Sequence, residues 1–318
     1  MSKYDVVSIG ELLIDLVPLP SRDGSMQFVA KPGGAPGNVA VGVARLGGRA
    51  AMLTKVGEEA FGRMLVDTLR DNGVATEAVR STATRRTGLA VVTLNAEGDR
   101  DFFFYRDGCA DSDLSPDDLA LDVLRGTRVF HTGSLFLAQP TSAAAQRRAV
   151  EIAQAANILV SADPNLRVHL WGDRDAMLDA AREVVRAANI VKISDEELVM
   201  LTGIDDPGQA VRSLWHDGLN VVAVTRGPAG AEVFTRDDRA AVSGFKVETV
   251  DTIGCGDAFM AMMLTELARR DFVLEGTPAL ETLARRCCAA GALTATRTGG
   301  MESLPDLAAI DRFLAGQP

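Results

Sequence analysis

The sequence predicts an α/β protein: a central, mostly parallel sheet flanked by helices on both faces, with a β-rich insertion. Three observations predict it. From about residue 128 short apolar strands alternate with helical segments, the first strand candidate (Val6 to Ile9) ends at Gly10, and the glycine-rich turn Gly254 to Asp257 feeds an apolar helix. Such alternation implies parallel pairing with both faces covered, and ligands of such sheets bind beyond the carboxyl ends of the strands.

The opening DVVSIGELLIDLVPLP supplies the first strand and, after Gly10, two acids, Glu11 and Asp15. Asp15 interrupts the apolar residues Leu13, Ile14, Leu16 and Val17; it is either a solvated strand position or a holder of polyol hydroxyls. Next, Gly33, Gly34 and Gly37 surround Pro36, and Asn38 leads into a small-residue helix from Val39 to Leu46. Glycines there let backbone approach a ligand. Asn38 reads either as an N-cap or as a donor and acceptor for a sugar hydroxyl. Gly47 and Gly48 end that helix, and Ala51 to Val56 reads as the next strand.

Residues 87 to 106 read as a hairpin around Asn95 to Asp99, its second arm carrying Phe102, Phe103, Phe104, Tyr105 and then Arg106. Aromatics make up 5% of the chain, so four in a row are informative. The arm is a lid over a ligand, a dimer face or a plain core strand.

Strand candidates Val129 to His131, Ile158 to Ala162, Ile190 to Ile193 and Val221 to Thr225 then alternate with helices near 141–156, 174–187, 195–202 and 207–217. Polar residues stand at several strand ends: Asp163-Pro-Asn165-Leu-Arg167, Lys192 with Ser194 and Glu197, and Thr225-Arg226-Gly227. In a parallel sheet those ends share one edge, so they should converge with the turn at 254–257. No repeat or low-complexity linker breaks the chain, which favours one α/β domain over residues 1–318.

The turn itself packs Gly254 and Gly256 against Asp257, ahead of the run Ala258 to Leu267. A helix start has amides without intrahelical partners and a positive dipole end, so Ile253 to Asp257 is a candidate anion cradle. Asp257 is then either a helix cap or an acceptor for the proton of a hydroxyl attacking phosphorus. Two rival nucleotide motifs fail. Phe259 stands where G-x-G-x-x-G needs its third glycine, and no Gly-Lys followed by Ser or Thr occurs. The first failure disfavours a nicotinamide dehydrogenase.

Composition narrows the class. With 318 residues and 47% apolar content the chain can build a large core, and a formal charge of -10 without a basic cluster argues against a nucleic-acid surface. Cys109, Cys255, Cys287 and Cys288 lack C-x-x-C spacing and read as reduced thiols of a cytoplasmic protein. His131, His169 and His216 are scattered, which argues against a histidine metal site or Ser-His-Asp chemistry. Neither a signal pattern nor a run of ~18 apolar residues is visible, so no membrane association is expected.

Two stretches, GGAPGNVAVGVARLGGRAAMLTKVGEEAFG and DTIGCGDAFMA, in this order and separation, closely resemble the two signatures of the ribokinase-like (PfkB) carbohydrate kinases, and the resemblance covers essentially the whole chain. It implies a ribokinase-like fold with a small β-sheet lid from segments 11–32 and 87–108, and a lid that often mediates homodimers. It implies ATP and Mg²⁺ as cofactors. Asp257 would be the base, with the amides of Gly254, Cys255 and Gly256 stabilising the transferring phosphoryl. Sugar contacts would come from Asp15, Gly33, Gly34 and Asn38, with Phe102, Phe104, Arg106 and Arg167 as further candidates. Lys192, Thr225, Gly227 and Gly230 fall on the nucleotide side. The family's N-x-x-E motif, tied to Mg²⁺ and phosphate, falls on Ser194 to Glu197, with Glu197 reaching Mg²⁺ through water. Asp251, the Ile253 carbonyl, Gly299 and Ser303 match a monovalent-cation loop, for K⁺.

Two departures from the family pattern stand out. Ser194 replaces the usual Asn, and Cys255 replaces the usual Ala; a cysteine at a helix N-terminus is expected to be acidic and thiol-reactive. Within the family, IGELLIDLVP, DRDFFFYR and DPNLRVHLW are most similar to fructokinases, which phosphorylate the 6-hydroxyl of fructose. Aminoimidazole riboside kinases and 2-keto-3-deoxygluconate kinases share parts of the pattern. Arg106 and Arg167 therefore either meet an anionic sugar or pair with local acids such as Asp107 and Asp163. A sugar-binding protein without catalysis is the reading from a different class, disfavoured by Asp257, both glycines and Glu197.

Overall fold

Apolar runs too short for helices, bounded by glycine or polar residues, form the strands of a computed structural model that describes residues 2–19, 25–94 and 100–317, with the side chains at 94, 100–102 and 169 outside that description. In chain order the strands are β1 (Tyr4–Ile9), β2 (Leu13–Leu19), β3 (Gln27–Gly33), β4 (Ala50–Gly57), β5 (Val79–Thr82), β6 (Gly88–Leu94), β7 (Arg100–Tyr105), β8 (Thr127–Thr132), β9 (Leu159–Ala162), β10 (Ile190–Ser194), β11 (Val221–Thr225), β12 (Ala231–Phe234) and β13 (Arg239–Val242). The α-helices are α1 (Ala35–Arg45), α2 (Ala60–Asp71), α3 (Leu121–Arg125), α4 (Pro140–Ala155), α5 (Arg174–Ala187), α6 (Asp195–Thr202), α7 (Pro207–Leu214), α8 (Cys255–Arg269), α9 (Gly276–Ala295), α10 (Gly300–Ser303) and α11 (Leu307–Ala315).

Nine strands form one sheet in the order β13-β12-β11-β10-β9-β8-β1-β4-β5, parallel from β11 to β5 and antiparallel at β12 and β13. Alternate residues of each strand serve opposite faces. Val6, Val129 and Ala223 pack with α1, α2, α8 and α9, whereas Val7, Phe130, Val160 and Val191 pack with α3 to α7. Both layers are thus covered, as expected for a parallel sheet. Among the described residues no helix is long and apolar enough to cross a membrane.

The β-rich insertion is a separate four-stranded sheet, β3-β2-β6-β7, in which β2 and β6 are parallel. It leaves the body just after β1 and includes the hairpin arms, while the expected turn Asn95 to Asp99 lies outside the described residues. Phe103 and Tyr105 are 54% and 69% exposed and Phe104 is half-buried, so β7 is not a plain core strand.

Helix α1 starts at Ala35, four residues before the expected Val39, because Pro36 occupies its first turn, where a missing N–H is harmless. Asn38 therefore lies inside the helix, its own N–H bonded 2.8 Å to the Gly34 carbonyl, and the N-cap reading of Asn38 is corrected. Asp257 is likewise no cap: the N-cap position of α8 is Gly254.

Candidate active site

The carboxyl ends of β9 and β10 meet the start of α8. Gly254 adopts φ 81°, a left-handed conformation that costs glycine nothing and bends the chain into the helix. The first helical bond runs from the Ala258 N–H to the Gly254 carbonyl at 2.8 Å. Gly256 and Asp257 in the first turn thus point amides outward without intrahelical partners. The Cys255 N–H instead reaches the Thr252 carbonyl at 3.3 Å, so one of the three amides expected in the cradle is partly engaged by the turn. Lys192 lies under this turn: a Cβ on Gly256 would stand 3.0 Å from its Nζ.

Asp257 is buried, and its carboxyl is pushed from 3.8 up to about 6, first by burial and also by the charge of Asp163. A hydrogen bond from Asn38, then Lys192 and Arg167, work against that rise. The Asn38 bond is direct, Nδ2 to Oδ2 at 2.6 Å. Lys192 is held by Asp163 at 2.7 Å, with both side chains almost fully enclosed. Burial opposes the lysine's charge, but Asp163, Glu197 and Asp257 outweigh it and keep its pKa above the ordinary value.

Asp15 projects from β2 toward the same cleft. Burial raises its carboxyl to about 7, helped by Asp251 and Asp257 and opposed by Arg167. The carboxyl group of Asp15 abuts Gly33, and Gly34 is the N-cap of α1 at φ 110°, held close to the Glu11 carbonyl. Asp15, Gly33, Gly34, Asn38, Arg167 and Asp257 are therefore brought together from β2, β3, α1, the β9 exit and α8.

Arg106 is partly buried and pairs with the buried Asp111 at 2.5 Å, not with Asp107, because the chain turns back at 107–110. Asp163 pairs with Lys192, not Arg167, whose side chain stays exposed. Arg106 and Phe104 line a cavity of about 290 Å³ with Phe103, Leu135, Phe136 and Leu170. The side chain of Phe102 lies outside the described residues. Glu11, an acid without an assigned role in the sequence, accepts the Ala35 N–H at 3.1 Å at the start of α1.

Ser194 and Glu197 form a capping box at the start of α6: the serine Oγ accepts the Glu197 N–H at 3.2 Å, and Glu197 Oε2 accepts the Ser194 N–H at 3.0 Å. Serine caps a helix as well as asparagine does, which accounts for the departure at 194. Glu197 Oε1 also accepts the Leu166 N–H at 2.6 Å, tying α6 to the loop after β9. Thr225 ends β11, and Gly227 and Gly230 build a tight turn of their own, with Gly230 packed on the Val242 carbonyl. Asp251 accepts the N–H groups of Ile253 and Gly299, both at 3.0 Å, and the Ser303 Oγ donates to the Gly300 carbonyl at 2.9 Å. Those residues therefore form one joined loop pair beside the turn.

Cys255 reverses its expectation. Burial pushes the thiol up to about 12, and Asp257 and Asp251 push the same way, which overrides the helix terminus. At pH 7.5 Cys255 is expected to react with iodoacetamide at least about a hundredfold more slowly than a free cysteine, because only the thiolate attacks. Mass spectrometry of a time course checks this; labelling of Cys255 at the free-cysteine rate contradicts it.

The approach of Lys192 to Gly256 is the expected convergence of that strand end with the turn, whereas the contact of Asn38 with Asp257 and the pairing of Lys192 with Asp163 were not read from the sequence. For the ion pair a signal existed: opposite charges, Asp163 just past β9 and Lys192 within β10, lie near the carboxyl ends of adjacent parallel strands. The family model for pfkB family carbohydrate kinases matches residues 3–307. The chain is 42% identical over 306 residues to fructokinase-2 of Solanum lycopersicum, covering 94% of this chain and 93% of that protein. Its structure is similar to that of a fructokinase with bound ATP from Xylella fastidiosa, with TM-score 0.90, 30% identity and 98% of each chain covered. It is also similar to a fructokinase from Vibrio cholerae O395 in fructose-, ADP- and calcium-bound form, with TM-score 0.84, 33% identity and 98% and 99% covered.

Proposed function

This chain belongs to the pfkB family of carbohydrate kinases, and from that premise we propose that it transfers the terminal phosphoryl group of ATP to the 6-hydroxyl of D-fructose. The observation that carries the reading is the buried Asp257 carboxylate at the start of α8, beside outward amides and the Lys192 ammonium. The sugar hydroxyl gives its proton to Asp257 as its oxygen bonds to phosphorus. The bond from phosphorus to the bridging oxygen of ADP breaks in the same displacement. Charge on the transferring group is met by the amides of Gly254 and Gly256, by that of Cys255 where the turn leaves it free, by the neighbouring amide of Asp257 and by Lys192. A base works best with a pKa near the working pH, and burial brings Asp257 toward that range.

Asp15, Gly33, Gly34 and Asn38 are the proposed sugar contacts, with Arg106, Arg167 and Phe104 at the rim; Phe102 is kept as a proposed contact from the sequence alone. Thr225, Gly227 and Gly230 are proposed to serve the nucleotide. Mg²⁺ neutralises phosphate charge when bound; Mg²⁺ sites commonly use one or two carboxylates plus substrate phosphates, so the single buried Glu197, acting through water, suits it. The Asp251 carboxylate, Ile253 and Gly299 carbonyls and Ser303 hydroxyl are all hard oxygen donors, a set that suits K⁺. The sheet β3-β2-β6-β7 is proposed to act as the lid, with a second copy of the chain seated on its exposed Phe103 and Tyr105. Four free cysteines support a cytoplasmic setting.

The test is ADP release by the purified protein with ATP and, in turn, fructose, 2-keto-3-deoxygluconate, aminoimidazole riboside, ribose or glucose. Fructose is expected to give the highest kcat/KM. Preference for the acid sugar would move the assignment to a carboxylate reader at Arg167, whose guanidinium stays exposed. No turnover with any of them, with sugar binding retained, would make the protein a non-catalytic binder.

A further inference from the structure

Asn38 donates its side-chain amide to one oxygen of Asp257, and the contact is built into the packing of two helices. Nδ2 lies 2.6 Å from Oδ2, and Asn38 is 3% exposed. One turn further along each helix, Gly42 of α1 faces Ala261 of α8 so closely that a Cβ on Gly42 would stand 2.6 Å from the alanine methyl. Positions 38 and 42, and 257 and 261, are each four apart and so share a helix face. Glycine at 42 lets the two helices approach, and that approach brings the side chains of their first turns together. The amide orientation follows from charge: an ionised carboxylate only accepts, so the NH₂ must face it. Oδ1 of Asn38, buried and without a hydrogen-bond partner, rests against Gly300.

We propose that Asn38 is a positioning residue for the base: its amide fixes the Asp257 carboxylate, favours the ionised form, and leaves Oδ1 of Asp257 as the atom that takes the substrate proton. A residue that only bound sugar would satisfy the substrate and leave the base alone. Asn38 instead directs one of its two amide N–H donors to the base, which leaves the other N–H and Oδ1 for the sugar. The inference rests on Asp257 being the base, as read above.

Several charged groups also act on Asp257. Lys192 of β10 and Arg167 after β9 favour its ionised form, whereas Asp163 after β9 opposes it. Asp15 of β2 couples to it, and Asp251 of the preceding loop couples to Asp15 in turn. Asn38 is the largest influence opposing the effect of burial, so its loss should make Asp257 harder to ionise.

The experiment is a carbon-13 carboxyl titration of Asp257, assigned by its absence in Asp257→Asn, in wild type, Asn38→Ala and Gly42→Ala, with kcat and KM measured across pH. The wild-type midpoint is expected near 6. In Asn38→Ala the midpoint should rise by about one pH unit, a roughly tenfold gain in proton affinity. The acid limb of kcat/KM should move upward with it, and kcat should fall more than KM rises. Gly42→Ala, which pushes the helices apart without touching either side chain, should move the midpoint the same way. An unmoved midpoint in Asn38→Ala with only KM raised overturns the inference and leaves Asn38 as a sugar contact. Failure of the underlying reading looks different: Asp257→Asn would then retain wild-type kcat.

Discussion

Asp257→Asn is expected to lower kcat by about 10²- to 10⁴-fold, roughly 3 to 5 kcal/mol of barrier, while making the folded protein more stable at pH 7.5. The first effect removes the acceptor for the hydroxyl proton; the neutral amide keeps the shape and still accepts from Asn38. The second follows from the environment of the carboxylate. Its pKa lies at about 6 in the fold against an ordinary 3.8, so the native state binds this proton more tightly than the unfolded chain. Below pH 3.8 both states are protonated and the group is neutral to stability. As pH rises from 3.8 through about 6 the native state loses ground, and above that the penalty is constant, about 3 kcal/mol. Removing the carboxylate should therefore raise the melting temperature at pH 7.5 and leave it nearly unchanged at pH 3.5. A variant that is inactive and no more stable at pH 7.5 would contradict the burial argument; one that is active would contradict the base.

This opposition of activity and stability was half legible in the sequence. The glycines at 254 and 256 and the apolar run beyond Asp257 mark a helix start, and helix starts attract anions whatever the fold. What the sequence hides is how deep that start lies. Cys255 shows the consequence: a local rule about helix N-termini predicts an acidic thiol, but burial, with Asp257 and Asp251 adding to it, makes it a weak acid. Asn38 was visible as a candidate, yet its partner is 219 residues away, and only the α1–α8 packing brings them together. Arg106 illustrates the reverse. Asp107 is nearest in sequence, but the turn after it delivers Asp111 instead. The strands of the large sheet were more legible, because short apolar runs between helices have few other ways to bury both faces. Even there, that β12 and β13 pair antiparallel at the edge is set by tight turns that carry little hydrophobic pattern.

Lys192→Met is expected to destabilise the protein by about 3 to 5 kcal/mol, since breaking a buried ion pair from one side leaves the other charge enclosed and uncompensated. The stranded group is Asp163. Its side chain is 5% exposed, Oδ2 is bonded to Lys192 at 2.7 Å, and Oδ1 is already without a partner. Methionine fills the lysine's volume, so the loss reports charge and not a cavity. The double variant Asp163→Asn with Lys192→Met should regain part of the loss, because neither side then buries a lone charge. Since the Lys192 pKa is raised above 10.5, its contribution should hold unchanged up to pH 10.5 and be lost only as pH rises beyond that through the raised value. Urea unfolding of wild type, both single variants and the double variant at pH 7.5 gives the coupling directly. Additive single and double values would mean that the two groups act independently. The charge under Gly256 would then be held by the sheet alone, and the anion cradle would not depend on Asp163.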